Sequence, residues 1–122
     1  MKHLNIALRE LNRLDQRFKL VAILGDRKPI SVATNNLDKT HTVNLHFNPN
    51  RRSHAEVRCI RKTHPNQVRG ATIYVYRMNL KGEIALAKPC IVCQEFLKDS
   101  GIKEAFYTIG PTEFGVMDFY GN

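Results

Sequence analysis

The chain contains no tryptophan, only three cysteines and no apolar run near the roughly 18 residues that a membrane-spanning helix requires. No membrane span and no membrane partner are therefore expected. The opening stretch MKHLNIALRELNRLDQRF mixes charge with leucine and lacks a secretory apolar block, which points to a cytoplasmic protein. Three cysteines are an odd number and, without a secretory signal, do not make a disulfide framework. In a reducing compartment Cys90 and Cys93 are better suited to metal or redox chemistry. Acidic side chains are also scarce, 11 against 19 lysines and arginines, for a formal charge of +8 and a pI near 9.7. Repeats, linkers and low-complexity tracts are absent from the sequence. The 43% hydrophobic and 25% charged content argues against global disorder. A length of 122 residues fits a single domain over residues 1–122, with enough chain to bury a core.

The basic balance attracts phosphate and speeds encounters with polyanions without dictating a fold. It is concentrated in Arg51, Arg52, Arg58, Arg61, Lys62 and Arg69, with Glu56 the one acid between residues 51 and 69. Two readings stay open: a solvated helix face, and a phosphate-facing rim beside a site.

Leu4, Leu8, Leu11, Leu14 and Phe18 recur at steps of three and four, the stripe of an amphipathic helix. Leu20–Leu24 and Ile30–Thr34, separated by Gly25-Asp26, read as a hairpin. Residues 35–52 read as an irregular connection of a length that is often functional. Ser53 and Glu56 have the S-x-x-E spacing of a capping box, which places a helix over residues 54–63, ending before His64-Pro65. Thr72–Met78 is a strand, Ile84–Ala87 an extension of the sheet, and Cys90–Asp99 a helix opened by Pro89 and stopped by Ser100-Gly101. Glu104–Ile109 is a further strand, and Gly110-Pro111 turns the chain towards Phe114–Tyr120. This order indicates an α/β sandwich.

The unusual residues sit at two helix starts: His54-Ala55-Glu56 and Pro89-Cys90-Ile91-Val92-Cys93. Zinc takes imidazole nitrogen and thiolate sulfur in tetrahedral geometry, and three protein ligands leave a fourth position for water. His54, Cys90 and Cys93 are the candidate ligands. Cys90 and Cys93, three apart, share a helix face. Amide groups at a helix start are expected to lower a thiol's pKa. Inside a helix His54 and Glu56 would diverge, but an ion beyond the helix end lets both converge on it. Glu56 is then the catalytic carboxylate, taking a proton from the bound water and delivering it to the leaving group. A capping-box role alone is the alternative for Glu56.

H-x-E followed by P-C-x-x-C is the signature of zinc base deaminases. With the segments ATIYVYRMNLKGEIALAKPC and KPCIVCQEFLKDSGIKEAFYT, the chain resembles the cytidine and deoxycytidylate deaminase superfamily from about Leu4 to Ile109. That resemblance implies a three-layer α/β/α sandwich around a five-stranded mixed sheet, with zinc between two helix starts. It implies hydrolytic deamination of cytidine, deoxycytidine or dCMP to the uracil product with release of ammonia, a step of pyrimidine nucleotide metabolism. It also implies that Asn35 contacts the substrate's sugar or base, that the backbone at Ala55 reads the base carbonyl, and that the protein forms a homo-oligomer. The connection from Asn35 to His54 is longer than in the simplest members. Tyr107, with Thr108, either lines the pocket or packs in the core.

Three other readings compete. The basic surface keeps open a base within single-stranded DNA or RNA, which would need contacts to flanking phosphates. A thiol–disulfide oxidoreductase would use Cys90 and Cys93, and a non-catalytic protein would keep a structural zinc. Cys59, five positions after His54, is turned about 140° away from it and reads as a small buried hydrophobe. His41 and His46 are loop histidines that either face substrate phosphate or carry no role.

Overall fold

The computed structural model describes residues 1–35 and 54–120. In chain order they form α1 (Leu4–Arg13), β1 (Lys19–Leu24), β2 (Ser31–Thr34), α2 (Ala55–Arg61), α3 (Pro65–Val68), β3 (Thr72–Met78), β4 (Ile84–Ala85), α4 (Ile91–Asp99), β5 (Glu104–Gly110) and β6 (Glu113–Asp118). The strands make one mixed sheet in the order β2-β1-β3-β5-β6, with the two-residue β4 paired to β3. Only β3 and β5 run parallel; every other pair is antiparallel. A parallel pair needs a crossover, and α4 supplies it.

Strand alternation divides the core into two layers. Val21 and Ile23 of β1 join Tyr74, Tyr76 and Met78 of β3 under Ala7 and Leu11 of α1. Ala22 and Leu24 of β1 face the other way, with Ile73 and Ala105, against Ala55, Cys59 and Ile60 of α2 and Leu97 of α4. Helices on both faces of a mixed sheet give the expected three-layer α/β/α architecture, with five strands along the main path and β4 as a sixth. The apolar run Val21–Leu24 is buried throughout because both faces of β1 are covered.

Two local expectations are corrected, and one element is added. The stripe of α1 stops early: Leu14 is already extended, at φ −74° and ψ 132°, so Phe18 leaves the helix and stands before β1. The N-cap of α2 is His54 rather than Ser53, which lies outside the described residues. The chain also turns helical again at Pro65, since proline suits the first helical position and His64 Nδ1 accepts from the Asn66 amide as the cap of α3.

Two further ties hold the helices in place. Arg58 donates to the Thr34 carbonyl at 2.6 Å and Lys62 to the Val32 carbonyl at 2.6 Å. These carbonyls belong to the edge strand β2, so two of the basic side chains on α2 close a sheet edge. At the far end of α4, Gly101 at φ 89° lets the Gly101 and Ile102 amides fold back onto the Lys98 and Leu97 carbonyls, and Ile102 is then buried.

Candidate metal centre

Because α2 packs against α4, their N-terminal ends lie side by side. His54 is the N-cap of α2 and Cys90 the N-cap of α4, both in extended conformation, so both side chains stand at the helix mouths. Cys93 sits one turn into α4 and is buried. His54 Nδ1 lies 3.1 Å from Cys93 Sγ and 4.0 Å from Cys90 Sγ. All three ligand atoms fall within 4.8 Å of one another. Tetrahedral zinc at ordinary bond lengths separates a nitrogen and a sulfur ligand by about 3.5 Å, between the two observed distances. Among the described residues this is the group of three or more candidate ligands that converges.

Glu56 lies in the first turn of α2 with only 2% of its surface exposed. Burial pushes its carboxyl above the usual carboxylate range, while its own backbone N–H and the Cys93 thiol pull the other way. Its Oε1 has no hydrogen-bond partner among the described residues. A buried, unpartnered carboxylate oxygen is costly, and this one belongs to a residue that lines the cleft beside the candidate ligands. Burial also pushes the Cys93 thiol up, and the charges of Glu56 and Cys90 beside it act in the same direction. For Cys93 this runs against the expectation of a lowered thiol at a helix start, with desolvation the largest cause. Three potential anions crowded around an imidazole are resolved by a divalent cation, and the thiol and imidazole donors fit zinc.

Residues 1–109 match the family model described as the cytidine and deoxycytidylate deaminase zinc-binding region. The chain belongs to this family. No curated protein matches it. The deaminase fold and the His54, Cys90 and Cys93 cluster thus agree on a zinc-dependent deaminase, and none of its described helices is long and apolar enough to cross a membrane.

A cleft of about 300 Å³ opens at this end of the deaminase domain, lined by His54, Glu56 and Cys90, by Phe18 and Leu20 before and in β1, by Arg77 of β3, and by residues 86–89. Asn35, 3% exposed, is outside that wall. Its Oδ1 accepts from the Leu20 amide at 2.8 Å and its Nδ2 donates to the Phe18 carbonyl at 2.8 Å, so in this structure it positions the wall. Ala55, the first residue of α2, buries its methyl group in the core. Tyr107 is half-buried, opposite Gly115 of β6; a Cβ there would lie 2.5 Å from the Tyr107 ring, so the ring covers the glycine. It does not line the cleft. Cys59 is fully buried, with its thiol on the Ser31 carbonyl at 3.4 Å. His41 and His46 lie outside the described residues.

Sequence reasoning missed Phe18 and Arg77. Phe18 was masked by its fit to the helical stripe. Arg77 did have a signal, as the lone charge in Thr72–Met78, but nothing local told which face it occupies.

Proposed function

We propose that this deaminase domain hydrolyses the C4 amino group of a cytosine nucleoside or nucleotide, of the cytidine, deoxycytidine or dCMP type. The observation that carries the reading is the buried Glu56 carboxyl, with a free oxygen, beside the convergent His54, Cys90 and Cys93. His54, Cys90 and Cys93 hold the metal in this proposal, leaving one coordination position to solvent. Zinc in such a site supplies Lewis acidity, lowering the pKa of a water from 15.7 to about 7. Glu56 takes a proton as water oxygen adds to C4. The Glu56 carboxyl delivers that proton to the ring nitrogen, takes the second from the new C4 hydroxyl and passes it to the departing amine; the C4–N bond breaks, and the uracil product and ammonia leave. Asn35 holds Phe18 and Leu20 in place, and the backbone at Ala55 is assigned to the base carbonyl. Tyr107 is given a packing role beside the site.

A base within single-stranded nucleic acid is the second reading, favoured by the +8 charge. Arg58 and Lys62 each direct one donor to a β2 carbonyl but keep their charge, so they remain part of that basic surface. Self-association and a cytoplasmic location, in keeping with three free thiols, belong to the same proposal. Glu56→Ala tests the assignment: it is expected to retain one zinc per chain and to lower ammonia release by about 10²- to 10⁴-fold. Wild-type turnover in that variant would refute the proton-transfer role.

A further inference from the structure

We infer that Arg77 binds a phosphate group of the substrate, so that the preferred substrate is a phosphorylated cytosine nucleotide rather than the free nucleoside. This rests on the deaminase reading of the same cleft and adds the chemistry of its other end. Arg77 alternates with Ile73 and Val75 on the α2 and α4 face of β3 and reaches the cleft wall together with Lys88. Its guanidinium carbon lies over the Phe18 ring, 5.0 Å from the ring centre, a cation–π contact at the cleft wall. Nε is buried and has no hydrogen-bond partner among the described residues, and Nη1 reaches the Leu86 carbonyl only at 3.4 Å. The ion pairs among the described residues join Arg9 and Arg13 to Glu10; none reaches Arg77.

Arg77 is half-buried: its Nε is a buried donor left unmet while the rest of the fork stands at the open cleft, and a docking anion would supply the missing acceptor. Its planar donor fork matches phosphate oxygens better than any neutral group of a nucleoside. Lys88, exposed at the mouth, adds a second positive charge without directional demands. A cleft of about 300 Å³ is of a size to take one nucleotide, with the base at Glu56 and Cys90 and the phosphate at Arg77. The shared chemistry is a phosphate oxygen, supplied either by a free 5′-nucleotide or by a phosphodiester of a single strand.

The test uses the zinc-loaded full chain, wild type, Arg77→Gln and Arg77→Lys. Each is given deoxycytidine, dCMP and an oligodeoxycytidylate without a terminal phosphate, and ammonia release yields kcat/KM. The wild type is expected to prefer dCMP or the oligonucleotide over deoxycytidine by about 10- to 100-fold, and Arg77→Gln to lose most of that preference. Whichever phosphorylated arm carries the preference identifies the source of the phosphate. Arg77→Lys should retain part of it, and it carries the test if the glutamine variant fails to fold. Equal rates on nucleoside and nucleotides in the wild type, or equal losses on all three in Arg77→Gln, would overturn the inference and leave the deaminase reading intact. Calorimetric binding of dUMP and deoxyuridine separates the two failures. If no substrate releases ammonia while dUMP still binds tighter than deoxyuridine through Arg77, the deaminase reading falls and the phosphate site stands.

Discussion

On the α1 side of the sheet, Tyr74 stacks on Phe106 with ring centres 5.2 Å apart, and Phe114 meets Tyr74 and Tyr76 at 5.6 and 5.3 Å. The buried polar atoms of that layer are answered within the protein: the Tyr74 hydroxyl donates to Asp26 and the Tyr76 hydroxyl to the Lys2 carbonyl. On the α2 and α4 side the same strands lead to a buried carboxyl with a free oxygen, a thiol under like-charge pressure and a guanidinium with an unmet Nε. The first face satisfies these polar groups from its own chain, whereas the second leaves Glu56 Oε1 and Arg77 Nε without a partner among the described residues. Both faces carry a core layer, but the side chains assigned to chemistry stand on the α2 and α4 side, so substitutions on the two faces should have different signatures.

The largest contrast is expected from Cys93→Ser. Removing a buried ligand should weaken zinc retention by more than the 10- to 100-fold typical of outer-shell changes, and abolish turnover with it. Metal analysis after dialysis against a chelator checks this; full zinc occupancy would remove Cys93 from the ligand set. Leu11→Ala, on the buried face of α1, should give the opposite pattern. It is expected to cost about 2–5 kcal/mol in denaturant unfolding while kcat per folded, zinc-loaded molecule stays at the wild-type value. A fall in kcat at full folding would show that the faces are coupled. The smallest effect concerns pH. Burial pushes Tyr76 from 10.0 up to about 12, so the folded state holds that proton more tightly than the unfolded chain. Its contribution is complete below pH 10 and is lost as pH rises through about 12. Tyr76→Phe should flatten that part of the stability profile, and an unchanged profile would assign the loss to other groups.

The same division explains what the sequence disclosed. Cys90 and Cys93 lie within one turn, and His54 and Glu56 are two apart, so each half of the site was visible as a local pattern of uncommon residues. Their meeting depends on α2 packing against α4 and rested on the family resemblance until the fold was in view. Strand Thr72–Met78 was legible to the residue because β-branched and aromatic side chains suit a sheet covered on both faces. The rest depended on long-range contacts. Asn35 bonds to Phe18 and Leu20, 17 and 15 positions away, and no local pattern reveals that it holds the cleft wall. Phe18 continued a helical spacing that the backbone abandons at Leu14. Ser53 and Glu56 imitated a capping box, whereas His54 occupies the cap and turns Glu56 inward.

X-ray absorption at the zinc edge of the loaded protein tests the central claim most directly. The account requires two sulfur ligands near 2.3 Å, one imidazole nitrogen near 2.0 Å and one light solvent ligand. A third sulfur, or a second imidazole in the fourth position, would contradict an open hydrolytic site.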